Sequence, residues 1–207
     1  MSTFNLKIIT IKNHLRLIYN LSRKNKNSKI LYWIFLDSNR IRNYKNFLSS
    51  LPSNKNVGVV MRQQHKRGLY ANSKILLQIC KKKRFTFLVS SNLFLAKAIG
   101  ADGVHYSKNY NFSRTDKSMI VSCSCHGFND YRRIKNLRAD LIFISPIFKT
   151  NSNLDKRPLG LKKISLLANY VKCKYSILGG VSEQNIKSLR NRGITSISGL
   201  ELISKLL

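Results

Sequence analysis

The sequence predicts an α/β fold, a single-domain (β/α)8 TIM barrel. Eight short apolar or β-branched runs recur along the 207 residues, and segments of helical spacing separate most of them. Most runs are apolar at consecutive rather than alternate positions, as strands of a parallel sheet buried on both faces require. Eight strand–helix units close naturally into a barrel, and this length supports one full core but is short for two.

In chain order the predicted strands are Ile30 to Leu36, Val57 to Met61, Phe85 to Val89, Gly103 to Tyr106, Met119 to Cys125, Leu141 to Ile147, Tyr175 to Leu178 and Thr195 to Ser198. Helical spacing runs through Ile41 to Leu51, Asn72 to Lys82, Asn92 to Ile99, Tyr131 to Leu137, Leu161 to Val171 and Asn185 to Arg190. Ser107 to Lys117 is polar without an apolar stripe and reads as a loop. The barrel is expected over residues 29–207, behind a basic amphipathic extension over residues 1–28. Lys7, Lys12, His14 and Arg16 interrupt the apolar pattern of that extension, so it is neither signal peptide nor membrane span; a membrane-surface helix is its sharper reading. An open doubly wound sheet is the alternative fold, but no Gly-x-Gly-x-x-Gly follows the first strand to support a dinucleotide site.

The 38 Lys and Arg stand against 8 Asp and Glu, a formal charge of +30. That balance attracts polyanions but says nothing of fold. The basic residues are dispersed, no aromatic-and-basic signature or zinc-finger spacing accompanies them, and a small anionic substrate is a more economical partner than a specific nucleic acid. Cys80, Cys123, Cys125 and Cys173 form no disulfide framework, which favours a reducing, cytoplasmic setting. Cys123 and Cys125 share one strand face without a second ligand pair, so no metal site is assigned to them. The sequence leaves a homo-oligomer open.

In a (β/α)8 barrel the active site forms at the C-terminal strand ends. Arg62, His105, His126, Thr150, Ser152, Gly179, Gly180, Ser198 and Gly199 lie at or just past such ends and should converge. Glycines bring backbone N–H groups close to an anion, and a helix starting near Ser182 would follow Gly179-Gly180; a tight turn explains the pair equally well. Coupled to Ser198-Gly199, the pair matches the phosphate cup that barrels build from their last two loops. Ser122, Ser124 and His126 alternate onto one strand face, and two small residues leave room beneath an imidazole at the mouth. A histidine is suited to proton transfer near neutrality. A histidine satisfied by local hydrogen bonds is the other reading of His126, and packing with a backbone contact is the reading of His105.

Gly100-Ala101-Asp102-Gly103-Val104-His105, then Ser145-Pro146-Ile147-Phe148-Lys149-Thr150, then Leu178-Gly179-Gly180-Val181 stand in an order and spacing that resemble the thiamine phosphate synthase/TenI family. The resemblance covers most of residues 30–203. It implies a phosphorylated thiazole ligand, with phosphate at Gly179, Gly180, Ser198 and Gly199 and substrate contacts from Arg62, Thr150 and Ser152. It also implies that His126, in its Ser-x-His segment, is similar to the proton-transfer residue of a thiazole tautomerase. Glu201 departs from the small polar residue usual near the cup.

Other departures bear on the reaction. A synthase needs Mg2+ held by carboxylates to release diphosphate. The family's Asn-Asp after the third strand is here Ser90-Ser91, and its Asp beyond Gly-Val-His is replaced in Asn109-Tyr110. Of the strand-two Gln-Leu-Arg-x-Lys only Arg62 is kept, and the Thr-x-Ser-Lys lysine is Asn153. The reading is therefore a TenI-like thiazole tautomerase without a metal cofactor. Its alternatives are a Mg2+-dependent synthase with a rearranged metal site, using Lys66 or Lys156 from displaced positions, and a non-catalytic ligand-binding or regulatory protein.

Overall fold

The structure, a computed structural model, describes residues 30–37, 41, 43–62, 68–108, 110, 118–150, 157–171, 173–182, 184–189 and 194–199. The extension expected over residues 1–28 lies outside them, as do Ser152, Asn153 and Glu201. The strands are β1 (Tyr32–Leu36), β2 (Val57–Met61), β3 (Thr86–Ser90), β4 (Gly103–Tyr106), β5 (Ile120–Cys125), β6 (Leu141–Ile144), β7 (Lys174–Leu178) and β8 (Ser196–Ser198). Each pairs in parallel with the next, and β1 pairs with β8, so the sheet is a closed barrel in sequence order. The helices are α1 (Tyr44–Ser50), α2 (Leu69–Lys83), α3 (Leu93–Ile99), α4 (Tyr131–Leu137) and α5 (Gly160–Val171). Among the described residues no helix is long and apolar enough to cross a membrane.

Alternate strand residues separate two apolar layers. Val59, Phe87, Val104, Cys123, Ile142 and Ile177 belong to the large cluster that also takes in Leu48, Leu76, Leu95, Ile134 and Ile164 of the helices. Trp33, Phe35, Val60, Leu88, Leu141 and Phe143 form a separate cluster inside the barrel. Phe35, Phe143 and His105 meet there edge-to-face at 4.9–5.4 Å between ring centroids, a favoured aromatic geometry. Each fully buried ring contributes about 2–3 kcal/mol by removal from water.

One turn is used twice. Helix α3 ends at Gly100 and α4 at Arg138, both left-handed; Asp102 and Asp140 follow two residues later. Their carboxylates accept the N–H groups of Phe87 and Val121, at 2.7 and 2.8 Å. The aspartate of Gly-Ala-Asp-Gly-Val-His is thus a lock at the N-terminal end of the barrel, opposite any metal site at the strand C-termini. Gly103 is required sterically, since a Cβ there would stand 2.1 Å from the Ile120 carbonyl oxygen.

The elements depart from expectation in two places. Strand β6 stops at Ile144, because Pro146 has no N–H with which to extend a ladder. After β7, where a helix from Ser182 was expected, a short 3-10 turn spans Ile186–Leu189. Asn185 is the reason: its Oδ1 accepts Ser182 N–H at 2.9 Å and its Nδ2 donates to the Gly180 carbonyl at 2.7 Å, a local alternative to helical bonding.

Candidate functional site

His126 is the first residue past β5. A carbonyl oxygen can only accept, so the 2.7 Å contact between His126 Nδ1 and the Ser145 carbonyl places the proton on Nδ1. The neutral ring then carries its lone pair on Nε2. The backbone is held as firmly: His126 N–H donates to Asp130 Oδ2 at 2.7 Å. Asp130 Oδ1 pairs with Arg133 Nη2 at 3.3 Å. Arg133 in turn donates to the carbonyls of Ser107, at 3.3 Å, and Ser124, tying the ends of β4 and β5 behind the histidine. Both members of the pair are buried. Nothing but the rarity of acidic residues in this chain and the four-residue offset from His126 to Asp130 marks this brace in the sequence.

His126 lines a cavity of about 290 Å3 with Lys108, Phe128, Asp130, Leu159, Lys163 and Leu167. Its walls combine an aromatic ring, two leucines and two lysines, whereas Asp130 is already engaged by Arg133. This suits a small, flat, anionic molecule.

Ser122 and Ser124 do face the barrel interior, but the ring they accommodate is that of His105. Their hydroxyls lie 3.1 Å from His105 Nδ1 and 3.3 Å from Nε2. His105 is therefore bonded to side chains rather than to backbone. Burial, reinforced by the positive charges of Arg62 and Arg133, pushes its pKa down from 6.5 to about 3, so the ring is neutral. Buried thiols are likewise held protonated: burial pushes Cys123 up to about 12 and Cys125 to about 11.

The other candidates divide. Arg62 stacks on Phe35, 5.1 Å from its ring centroid, with its Nη1 3.5 Å from Asp37 Oδ2. Thr150 is buried beyond β6. Gly179 and Gly180 adopt left-handed conformations, and a Cβ on Gly180 would fall 2.3 Å from the Lys149 carbonyl oxygen. The pair thus keeps the β6 and β7 loops in contact, with Phe148 N–H on the Gly179 carbonyl at 3.1 Å. Ser198 is buried with its hydroxyl on that of Ser176, and Gly199 N–H donates to the Trp33 carbonyl at 3.1 Å. Those two donors are committed within the barrel, and the Gly179–Gly180 turn is packed against Pro146, Phe148 and Lys149 of the β6 loop.

At the metal positions, Ser91 N–H bonds to the His105 carbonyl at 2.8 Å, and Tyr110 stacks on Tyr106 at 4.7 Å. Hydroxyl groups without a carboxylate do not fit a divalent cation. Among the described residues no group of three or more His, Cys, Asp or Glu side chains is placed to hold a metal ion.

A sequence profile described as thiamine monophosphate synthase matches residues 33–203. A putative thiamine-phosphate synthase 2 of Aquifex aeolicus (strain VF5) is 30% identical over 168 residues, covering 76% of this chain and 90% of that protein. A thiamine-phosphate synthase of Prochlorococcus marinus subsp. pastoris is 31% identical over 126 residues, covering 58% of this chain and 36% of that protein, so the chain spans about a third of this longer relative. A thiamine phosphate pyrophosphorylase from Pyrococcus furiosus shares the fold, with a TM-score of 0.66 at 18% identity over 84% of this chain and 87% of that one. A citrate synthase, SbnG, has a TM-score of 0.58 at 11% identity over 87% of this chain and 89% of its own, the same barrel carrying another chemistry. With an eight-stranded barrel and a profile match over most of its length, the chain belongs to the thiamine monophosphate synthase family.

Proposed function

We propose that this protein is a TenI-like tautomerase that moves a proton between two positions of a phosphorylated thiazole. The observation that carries the reading is the bond from His126 Nδ1 to the Ser145 carbonyl, which leaves Nε2 to take up a ring proton and return it. Asp130 and Arg133 fix the backbone from which the imidazole projects. Phe128, Leu159 and Leu167 would hold the flat ring, and the positive charge of Lys108 and Lys163 favours an anion in the same cavity. The turn at Gly179 and Gly180 is the candidate for the phosphate, while Arg62, Thr150 and Ser152 remain candidates for substrate contact.

The names of the relatives favour a second reading, synthase activity. That reaction requires Mg2+ at positions occupied by Ser90, Ser91 and Tyr110, a donor set that argues against it. Two assays on the same preparation separate the readings. Ring isomerisation of the thiazole phosphate is expected, with little thiamine phosphate formed from the two substrates and Mg2+. Robust magnesium-dependent joining would establish the synthase; tight thiazole phosphate binding with neither reaction would establish a binding or regulatory protein.

A further inference from the structure

We propose that Tyr170 is a positioning residue: its ring, outside the cavity beside His126, fixes the ring of Phe128 at the lip of that cavity, where Phe128 meets a flat ligand. The inference rests on the reading of this cavity as the thiazole site. Phe128 lines the cavity yet is 45% exposed. Its backbone is set by the 3-10 turn Phe128–Asp130, in which Asp130 N–H donates to the Gly127 carbonyl at 3.2 Å. A turn fixes where the side chain starts but not which χ1 rotamer it takes, and a half-exposed ring has solvent to swing into.

Ring contacts from outside the cavity restrict that freedom. The Tyr170 ring is 54% exposed and is no part of the cavity wall. It meets Phe128 edge-to-face, at 5.7 Å between centroids and 75° between planes. Tyr131, the first residue of α4, meets Tyr170 at 4.5 Å and 54°, so the bracing ring is anchored in turn. Lys163, Leu167 and Tyr170 stand at i, i+4 and i+7 of α5, on one helical stripe. The first two line the cavity and the third reaches Phe128 from behind it. Rings gathered from the turn, α4 and α5 at the rim of a candidate site exceed the singly scattered apolar residues that any protein surface carries.

NMR and calorimetry on the full chain test the brace separately from the ligand. In the ligand-free protein the three-bond couplings of Phe128 should report one χ1 rotamer, and Tyr170→Leu should average them. With thiazole phosphate as the probe, Tyr170→Leu should bind about three- to tenfold more weakly, as the loss of one aromatic pair implies, and raise KM more than it lowers kcat. Tyr170→Phe, which keeps the ring, should restore both the couplings and the affinity. In a Phe128→Leu background, Tyr170→Leu should weaken binding no further, because the tyrosine acts through Phe128. Unchanged couplings in Tyr170→Leu would overturn the proposal. So would an equal loss of affinity in both backgrounds, or a Tyr170→Phe variant as weak as Tyr170→Leu. A native protein that binds no thiazole phosphate would remove the reading of the cavity, and the couplings alone would then decide whether Tyr170 positions Phe128.

Discussion

The backbone N–H of His126 and the guanidinium of Arg133 meet on one carboxylate, that of Asp130: Oδ2 accepts the first at 2.7 Å and Oδ1 pairs with the second at 3.3 Å. The pair is buried, so removing one partner strands the other. Asp130→Ala should lower unfolding free energy by about 3 kcal/mol in denaturant titration. In the isomerisation assay it should reduce kcat far more than it raises KM, because both Asp130 oxygens are already engaged by the His126 N–H and Arg133, and Asp130→Asn should restore part of kcat by accepting the His126 N–H again. Equal changes in kcat and KM would make Asp130 a substrate contact instead.

His105 makes stability depend on pH. Its folded-state pKa of about 3 lies below the 6.5 of an unburied histidine. Between those values the unfolded chain binds a proton that the folded one refuses. The contribution is therefore complete above about pH 6.5 and is lost progressively as pH falls toward about 3. His105→Gln, which keeps partners for Ser122 and Ser124, should flatten the dependence of unfolding free energy on pH between about pH 6 and about pH 4, by close to 1.4 kcal/mol per pH unit. Parallel native and variant profiles would show that His105 is solvated.

The glycines separate by what surrounds them. Gly103→Ala drives a methyl group into the Ile120 carbonyl, and Gly180→Ala drives one into the Lys149 carbonyl from a left-handed backbone. Each should cost about 3 kcal/mol in thermal or chemical denaturation. Gly100, also left-handed but with nothing within 4 Å, should cost about 1 kcal/mol when replaced by alanine. A loss at Gly180 no larger than that at Gly100 would mean that the β6–β7 loop contact is absent.

The barrel was legible because buried parallel strands are apolar at successive positions, and seven of the eight strands begin within one residue of their expected starts. Legibility failed where one side chain outcompeted a pattern: Asn185 bonds to Ser182 and Gly180 and turns the expected helix into a 3-10 turn, and Pro146 ends β6 early. At the site, alternation correctly put Ser122 and Ser124 inside the barrel. It could not show that the room they leave is filled by His105 from the neighbouring strand, because register between strands is not written in either one. The Asp130–Arg133 brace was missed for the same reason: its partners are carbonyls of β5 and the β4 end.

The central claim is that His126 transfers the proton, and exchange into the ring reads this directly. Thiazole phosphate incubated with the protein in D2O is followed by NMR for deuterium entering the ring, native protein beside His126→Gln. The account predicts rapid exchange and isomerisation by the native protein, with both slowed on the order of 10²-fold or more in the variant at nearly unchanged ligand affinity. Equal exchange rates, or a native protein that binds the thiazole phosphate and never exchanges its protons, would contradict it.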